Sequence, residues 1–201
     1  MEVACGFVMH DRVCKKHPVL LVPLPLMLII FGGLPGTGKT TLARLVARRL
    51  AAVHVRIDTL EQAMIHAGMI EPENMGSAGY MVGYAVALDN LRLGLTVVAD
   101  SVNPLSVTRD AWRQVAKAAC GPCLEVETVC SDKQEHRRRV ETRSADIPGH
   151  ALPDWHSVQA RHYEPWDRPH LIIDTATLSI EAGADAIIEA VLTLLRANLT
   201  R

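Results

Sequence analysis

The chain has 201 residues, 49% of them hydrophobic and 21% charged, with 21 Lys+Arg against 22 Asp+Glu and a formal net charge of −1. That length sustains one domain with its own core, and the composition excludes a disordered tail. The even charge balance excludes a global pull toward nucleic acid or an anionic membrane, and five cysteines, an odd number, argue against a disulfide framework and for a reducing, cytoplasmic setting.

Residues 1–26 hold two cysteines, three prolines and no clear period. They are expected to be a mis-assigned start or a loosely ordered extension ahead of a domain over 27–201, with Met27 able to initiate the chain. The longest apolar run, Val19–Phe31, covers 13 residues and contains Pro23 and Pro25, whereas a membrane-spanning helix needs about 20. Nearly continuous runs of Val, Leu and Ile predict strands over Leu26–Phe31, Val53–Ile57, Leu95–Ala99, Leu124–Val129 and His170–Ile173. Such runs suit strands covered on both faces. Amphipathic stretches predict helices over Lys39–Ala51, Thr59–Ala67, Gly79–Leu93, Pro104–Ala119, Lys133–Arg143, Asp154–Tyr163 and Ile180–Leu199. Alternation of this kind reads as right-handed crossovers in a parallel sheet, an α/β fold.

Gly33-Leu34-Pro35-Gly36-Thr37-Gly38-Lys39-Thr40 satisfies G-x-x-x-x-G-K-[ST] between a predicted strand and a predicted helix, the context a phosphate-binding P-loop requires. Gly33, Gly36 and Gly38, with Thr37 between the last two, let successive backbone N–H groups turn toward a phosphate. The helix opening at Lys39 adds about half a positive charge at its N-terminus. Lys39 supplies a full charge for the β and γ phosphates, Thr40 a hydroxyl for Mg²⁺, and Thr41 completes the candidate nucleotide-binding set. The motif implies a nucleoside-triphosphate site.

Three further groups stand where chemistry is expected. Asp58 follows the second strand, at the carboxyl end that faces the ligand crevice of such sheets. It is either a base or an N-cap, since Asp58-Thr59-Leu60-Glu61 has the spacing of a capping box. Asp100 ends the strand Val97-Val98-Ala99, either as a Mg²⁺ ligand or as a turn residue before Ser101 and Asn103-Pro104. Arg139 and Arg143 lie four apart on one helix face, while Arg137 and Arg138 are solvated or paired with Glu135 and Glu141. Ser144–Pro153, with two prolines and a glycine, suits a flap.

From Met27 to its end the chain resembles the P-loop small-molecule kinases of the nucleotide-kinase-like group. That group is also labelled AAA-type ATPase domains, and it is related to polynucleotide, gluconate, adenylyl-sulfate and chloramphenicol kinases. The resemblance rests on the P-loop, on Asp58, on Asp100, on the Arg139–Arg143 helix and on Leu171-Ile172-Ile173-Asp174-Thr175. It implies a P-loop NTPase fold with a five-stranded parallel sheet, helices on both faces and a helical lid over about 131–153. It implies Asp58 as general base, Asp100 beside Mg²⁺, Arg139 and Arg143 as lid arginines on the transferring phosphoryl group, and the exit of the last strand beside the nucleotide base. The implied reaction uses ATP and Mg²⁺ to phosphorylate a hydroxyl of a small molecule, with no nucleic-acid or membrane partner and no signal that sets an oligomeric state. An ATPase or nucleotide-binding switch coupled to a partner protein is the alternative. One departure is informative: the D-x-x-R of polynucleotide kinases is Asp58-Thr59-Leu60-Glu61 here. A carboxylate at that place repels an anionic acceptor by about 1 kcal/mol at several ångströms.

Other motifs carry less. Cys120-Gly121-Pro122-Cys123 has a helix before it and a strand after it, the reverse of what a thiol activated by a helix N-terminus needs. With Cys130 and His136 it forms a loose zinc-like set spread over different elements. His54 reads as an ordinary strand residue. Tyr80 and Tyr84 read as core, and Trp155, Trp166 and Tyr163 as a packing corner.

Overall fold

The computed structural model describes residues 26–199, so the expectation for the leading segment lies outside the described residues except at Leu26. Five strands, β1 (Leu28–Gly32), β2 (Val53–Arg56), β3 (Val97–Asp100), β4 (Cys123–Val129) and β5 (Leu171–Asp174), form one sheet in the order β2-β3-β1-β4-β5, every pairing parallel. Seven helices connect and cover them: α1 (Lys39–Arg49), α2 (Ile57–His66), α3 (Ala78–Arg92), α4 (Ser106–Ala118), α5 (Lys133–Thr142), α6 (Trp155–Ala160) and α7 (Ile180–Leu199). A short 3₁₀ turn, Pro72–Asn74, precedes α3. No described helix is long and apolar enough to cross a membrane.

The pleat of β1 sorts the core into two layers. Side chains alternate along a strand, so Met27, Ile29 and Phe31 pack with Leu42 and Val46 of α1 and Ile187 and Val191 of α7. Leu28 and Ile30 point the other way, to Ala87 and Leu91 of α3 and Trp112 and Val115 of α4. All five residues of β1 are buried, which is why its sequence is apolar without interruption. The chain leaves β1 toward β2 over one face and leaves β3 toward β4 over the other. The carboxyl ends of β1 and β3 therefore flank the crevice where ligands bind in open α/β sheets.

Two element boundaries differ from the sequence expectation for identifiable reasons. Helix α2 starts at Ile57, with extended Arg56 as its N-cap and no side-chain capping bond. Asp58 is thus the second helical residue, and the capping reading of Asp58 and Glu61 falls. Helix α6 ends at Ala160, before the extended Arg161. The chain then runs as a strap in which Glu164 N donates to Pro104 O at 2.8 Å, and Arg109 Nη1 and Nη2 donate to the carbonyls of Glu164 (3.0 Å) and Pro165 (3.1 Å). The same guanidinium lies 4.7 Å from the centre of the Trp166 ring, which stacks on His170 and receives its own partner in Tyr163 Oη, 3.0 Å from Nε1. Tyr163 and Trp166 do form a packing corner. Trp155 does not belong to it, meeting His136 edge-on at 5.2 Å.

Candidate active site

The segment between β1 and α1 is built as the motif requires. Gly33 has φ +135°, and a Cβ there would stand 2.3 Å from Thr128 O, so neither the backbone conformation nor the space admits a side chain. Gly38 is the N-cap of α1 in a left-handed conformation, with no side chain capping the first turn. The first amides of α1 are thereby left to an anion. Thr37 Oγ1 donates to Leu34 O at 2.8 Å, and Thr175 Oγ1 lies 2.8 Å from Thr37 O, fastening the loop to the exit of β5.

Behind the loop, Asp100 is the hub. Its Oδ1 lies 3.3 Å from both Lys39 Nζ and Thr40 Oγ1, and its Oδ2 lies 3.2 Å from His54 Nε2. Asp100 is 1% exposed and Lys39 7%. Burial pushes the carboxyl up, but Lys39, His54 and Thr40 together hold it below the ordinary carboxylate range. His54 stands on the edge strand β2, as its sequence reading as an ordinary strand residue implies, and adds a contact to Asp100 that the sequence alone does not show. Its one trace in the sequence is that Val53-His54-Val55-Arg56 alternates polar residues on one face of a strand whose neighbour β3 is apolar until Asp100.

Asp58, Glu61, Arg139 and Arg143 line the same cavity of about 660 Å³ as Gly36, Gly38, Lys39, Thr40 and Thr41. Asp58 and Glu61 sit three apart and so share a face of α2. Asp58 Oδ2 accepts from Arg56 Nη2 at 3.3 Å. Among the described residues no hydrogen bond or ion pair reaches the Glu61 carboxylate. A methyl at Gly79 would come within 2.3 Å of Glu61 Cγ, so the backbone of α3 walls its stem. Burial, with Asp58 adding to it against the pull of Arg161, raises Glu61 from 4.5 to about 7. Because the folded state holds this proton more tightly, its stabilising contribution is complete below 4.5 and disappears as pH rises through about 7. Glu61→Gln is expected to flatten the fall in stability between those values, read from urea midpoints at successive pH.

Helix α5 lies against the loop. His136 Nε2 is 2.9 Å from Pro35 O, and a Cβ on Gly36 would be 2.5 Å from Val140 Cγ2. Arg139 is tied to Glu135 (2.7 Å) and donates to Thr175 Oγ1 (2.8 Å) and Thr175 O (3.0 Å). Arg143, the residue after α5, donates to Pro153 O at 3.3 Å, and its buried Nε has no partner. Arg138 and Arg137 pair with Glu135 and Glu141 on the outside, as solvated charges do. Tyr80 lines the cavity and accepts from Asn103 N at 3.1 Å, and both it and Tyr84, edge-on to Trp112 at 4.6 Å, pack against the core layer of α3 and α4.

Thr40 and Asp100 offer hard oxygen donors beside the loop. Mg²⁺ is held in phosphate-transfer sites by one or two protein oxygens together with phosphates and water, so the donor set fits that ion. The candidates Lys39, Thr40, Asp58 and Asp100 come together at this crevice with three residues that the sequence did not single out for the site, His54, Arg56 and Asp146. Asp146 sits in the loop after α5, and its carboxylate takes Arg56 Nη1 at 2.8 Å and also pairs with Arg44.

A family model described as an AAA domain matches residues 28–162. No curated protein matches the sequence. Among solved structures, the Mycobacterium tuberculosis APS kinase CysC in complex with AMPPNP and APS aligns with TM-score 0.63 at 22% identity, covering 85% of this chain and 99% of that one. Chaetomium thermophilum Kti12 in complex with ADP-AlF3 aligns with TM-score 0.60 at 24% identity, over 82% and 98%. A gluconokinase from Sinorhizobium meliloti 1021 aligns with TM-score 0.57 at 18% identity, over 87% and 96%. At these identities the likeness is one of fold, that of the P-loop kinases.

Proposed function

The chain belongs to the AAA-domain family matched over 28–162, and from that premise we propose that it is an ATP-dependent phosphotransferase acting on a hydroxyl of a small, non-anionic molecule. The observation that carries this reading is the shared cavity, with the phosphate loop on one wall and Asp58 on another. The APS kinase and gluconokinase that share its fold support the phosphotransfer to a small molecule, while the non-anionic acceptor rests on Glu61 alone.

Lys39 and the amides of Gly36–Thr40 bind the β and γ phosphates. Thr40 and Asp100 would hold Mg²⁺, which when bound neutralises charge across those phosphates. Asp58 accepts the proton of the acceptor hydroxyl as its oxygen bonds to the γ phosphorus and the bond from that phosphorus to the β-bridging oxygen breaks, releasing ADP. Arg139 and Arg143 stabilise the charge on the transferring group from the lid side. Glu61, raised to about 7, disfavours in its ionised form an acceptor that carries phosphate or carboxylate, and in its protonated form it can hydrogen-bond a neutral polyol or amino alcohol.

Turnover of ATP with Mg²⁺, with and without a panel of hydroxyl compounds, tests this reading. ADP release is expected to depend on a neutral or cationic acceptor, and Asp58→Asn to lower it by about 10²–10⁴-fold with nucleotide affinity retained. Turnover that ignores the acceptor and survives Asp58→Asn would replace it with an ATPase that drives a partner protein.

A further inference from the structure

The segment between α5 and α6 forms a wall of the cavity through Arg143, Ser144, Asp146, His150 and Pro153. It reaches the opposite side of the crevice at two places. Asp146 pairs with Arg44 of α1 and takes Arg56 Nη1 at 2.8 Å. Gly149 lies so close to α2 that a methyl on it would be 2.9 Å from His66 Nε2. Arg56 is the unusual member. It is 8% exposed, gives Nη1 to Asp146 and Nη2 to Asp58 at 3.3 Å, and keeps a buried Nε without a partner. One buried guanidinium is thus divided between a carboxylate of the lid loop and the carboxylate proposed above as the base.

We propose that Asp146 is the latch of the lid and that Arg56 couples the latch to Asp58. With Asp146 docked, Arg56 is shared, and Asp58 is held at the longer of the two contacts, facing the cavity. With the lid lifted, Arg56 keeps one hydrogen-bonded carboxylate, that of Asp58, with Asp100 acting on it only through its charge. A buried cation left with one carboxylate draws that carboxylate in, so Asp58 closes on Arg56 and is withdrawn from an incoming hydroxyl. Lid closure therefore presents the base as well as excluding water. The Arg56 hydrogen bond, with Arg44 adding to it against burial, holds the Asp146 carboxyl down at about 2, so the latch is anionic throughout the neutral range. Arg56 and Asp146 are positioning residues, and their part in catalysis rests on the role given to Asp58 above.

Hydrogen exchange of the amides of 144–153, measured on the full chain with Mg²⁺ and AMPPNP, reads the latch without any acceptor. Asp146→Asn is expected to lose protection there, and Asp146→Glu to restore most of it. Because coupling is reciprocal, Asp58→Asn is expected to raise protection of the same amides, since Arg56 then serves Asp146 alone. In turnover, Asp146→Asn is expected to lower kcat by about tenfold to a hundredfold with KM for ATP little changed. Protection that Asp146→Asn leaves intact overturns the latch. Protection that Asp58→Asn leaves unchanged, or a kcat that survives loss of the latch, overturns the coupling. A wild-type chain that phosphorylates no acceptor defeats the function proposed above, while the exchange measurements still judge the latch and its link to Asp58.

Discussion

Lys39→Ala is expected to lower nucleotide-dependent turnover by about 10²–10³-fold, the scale for losing one preorganised donor at a developing charge. The arginines that line the cavity approach it from other walls, whereas Lys39 opens the helix that follows the phosphate loop and is, among the described residues, the one cation fixed there, with Nζ 3.3 Å from Asp100 Oδ1. Lys39 is also the largest influence holding Asp100 below the ordinary carboxylate range against burial. Its removal raises the folded-state affinity of Asp100 for a proton. In the wild type, the lowered Asp100 contributes stability at pH above the ordinary carboxylate value and loses it as pH falls. That acid-side slope is expected to shrink in Lys39→Ala. Nucleotide titration together with urea midpoints from pH 3 to 7 would check both parts, and a variant with wild-type turnover would remove Lys39 from the mechanism.

The second large effect concerns stability. Arg109→Met should cost about 3 kcal/mol, because it strands the carbonyls of Glu164 and Pro165 and takes the support from Trp166. Arg109 is wholly buried in α4, and its two donated bonds, with those of Glu164 to Pro104 and Ser106, fasten the strap after α6 to α4 and the turn before it. Trp166 also packs on the root of the phosphate loop, since a Cβ on Gly32 would be 2.7 Å from its Cζ2. For a chain of this size the loss corresponds to a melting temperature lower by about 10 °C. A denaturant midpoint unchanged by the substitution would contradict the account.

The sheet was legible in the sequence because a strand covered on both faces has little choice of composition. β1 is buried at every position, and its apolar run leads straight to the glycines of the loop. Lys39 and Thr40 were legible for the related reason that a phosphate loop fixes residue types at fixed spacing, and Asp100 because it ends an apolar strand. The contacts of Asp100 with His54 and of Asp146 with Arg56 were not. They join residues 46 and 90 positions apart; the register of β2 on β3 brings His54 to Asp100, and the course of the loop after α5 brings Asp146 to Arg56. The start of α2 was misread because Asp58 looks like a cap until Arg56, two residues earlier, is seen to hold it. The end of α6 depended on Arg109, more than 50 residues away, which no local propensity carries.

The edge-on contact between Trp155 and His136 has a practical consequence. Trp155 opens α6 and His136 belongs to α5, so the indole bridges the two ends of the loop between these helices. Trp112 is sealed in the core, and Trp166 is stacked on His170 beside Gly32. Of the three indoles, Trp155 alone joins α5 to α6. Its emission is therefore an optical signal of how these two helices pack, already encoded in the chain, whose changes a stopped-flow instrument can follow without a dye.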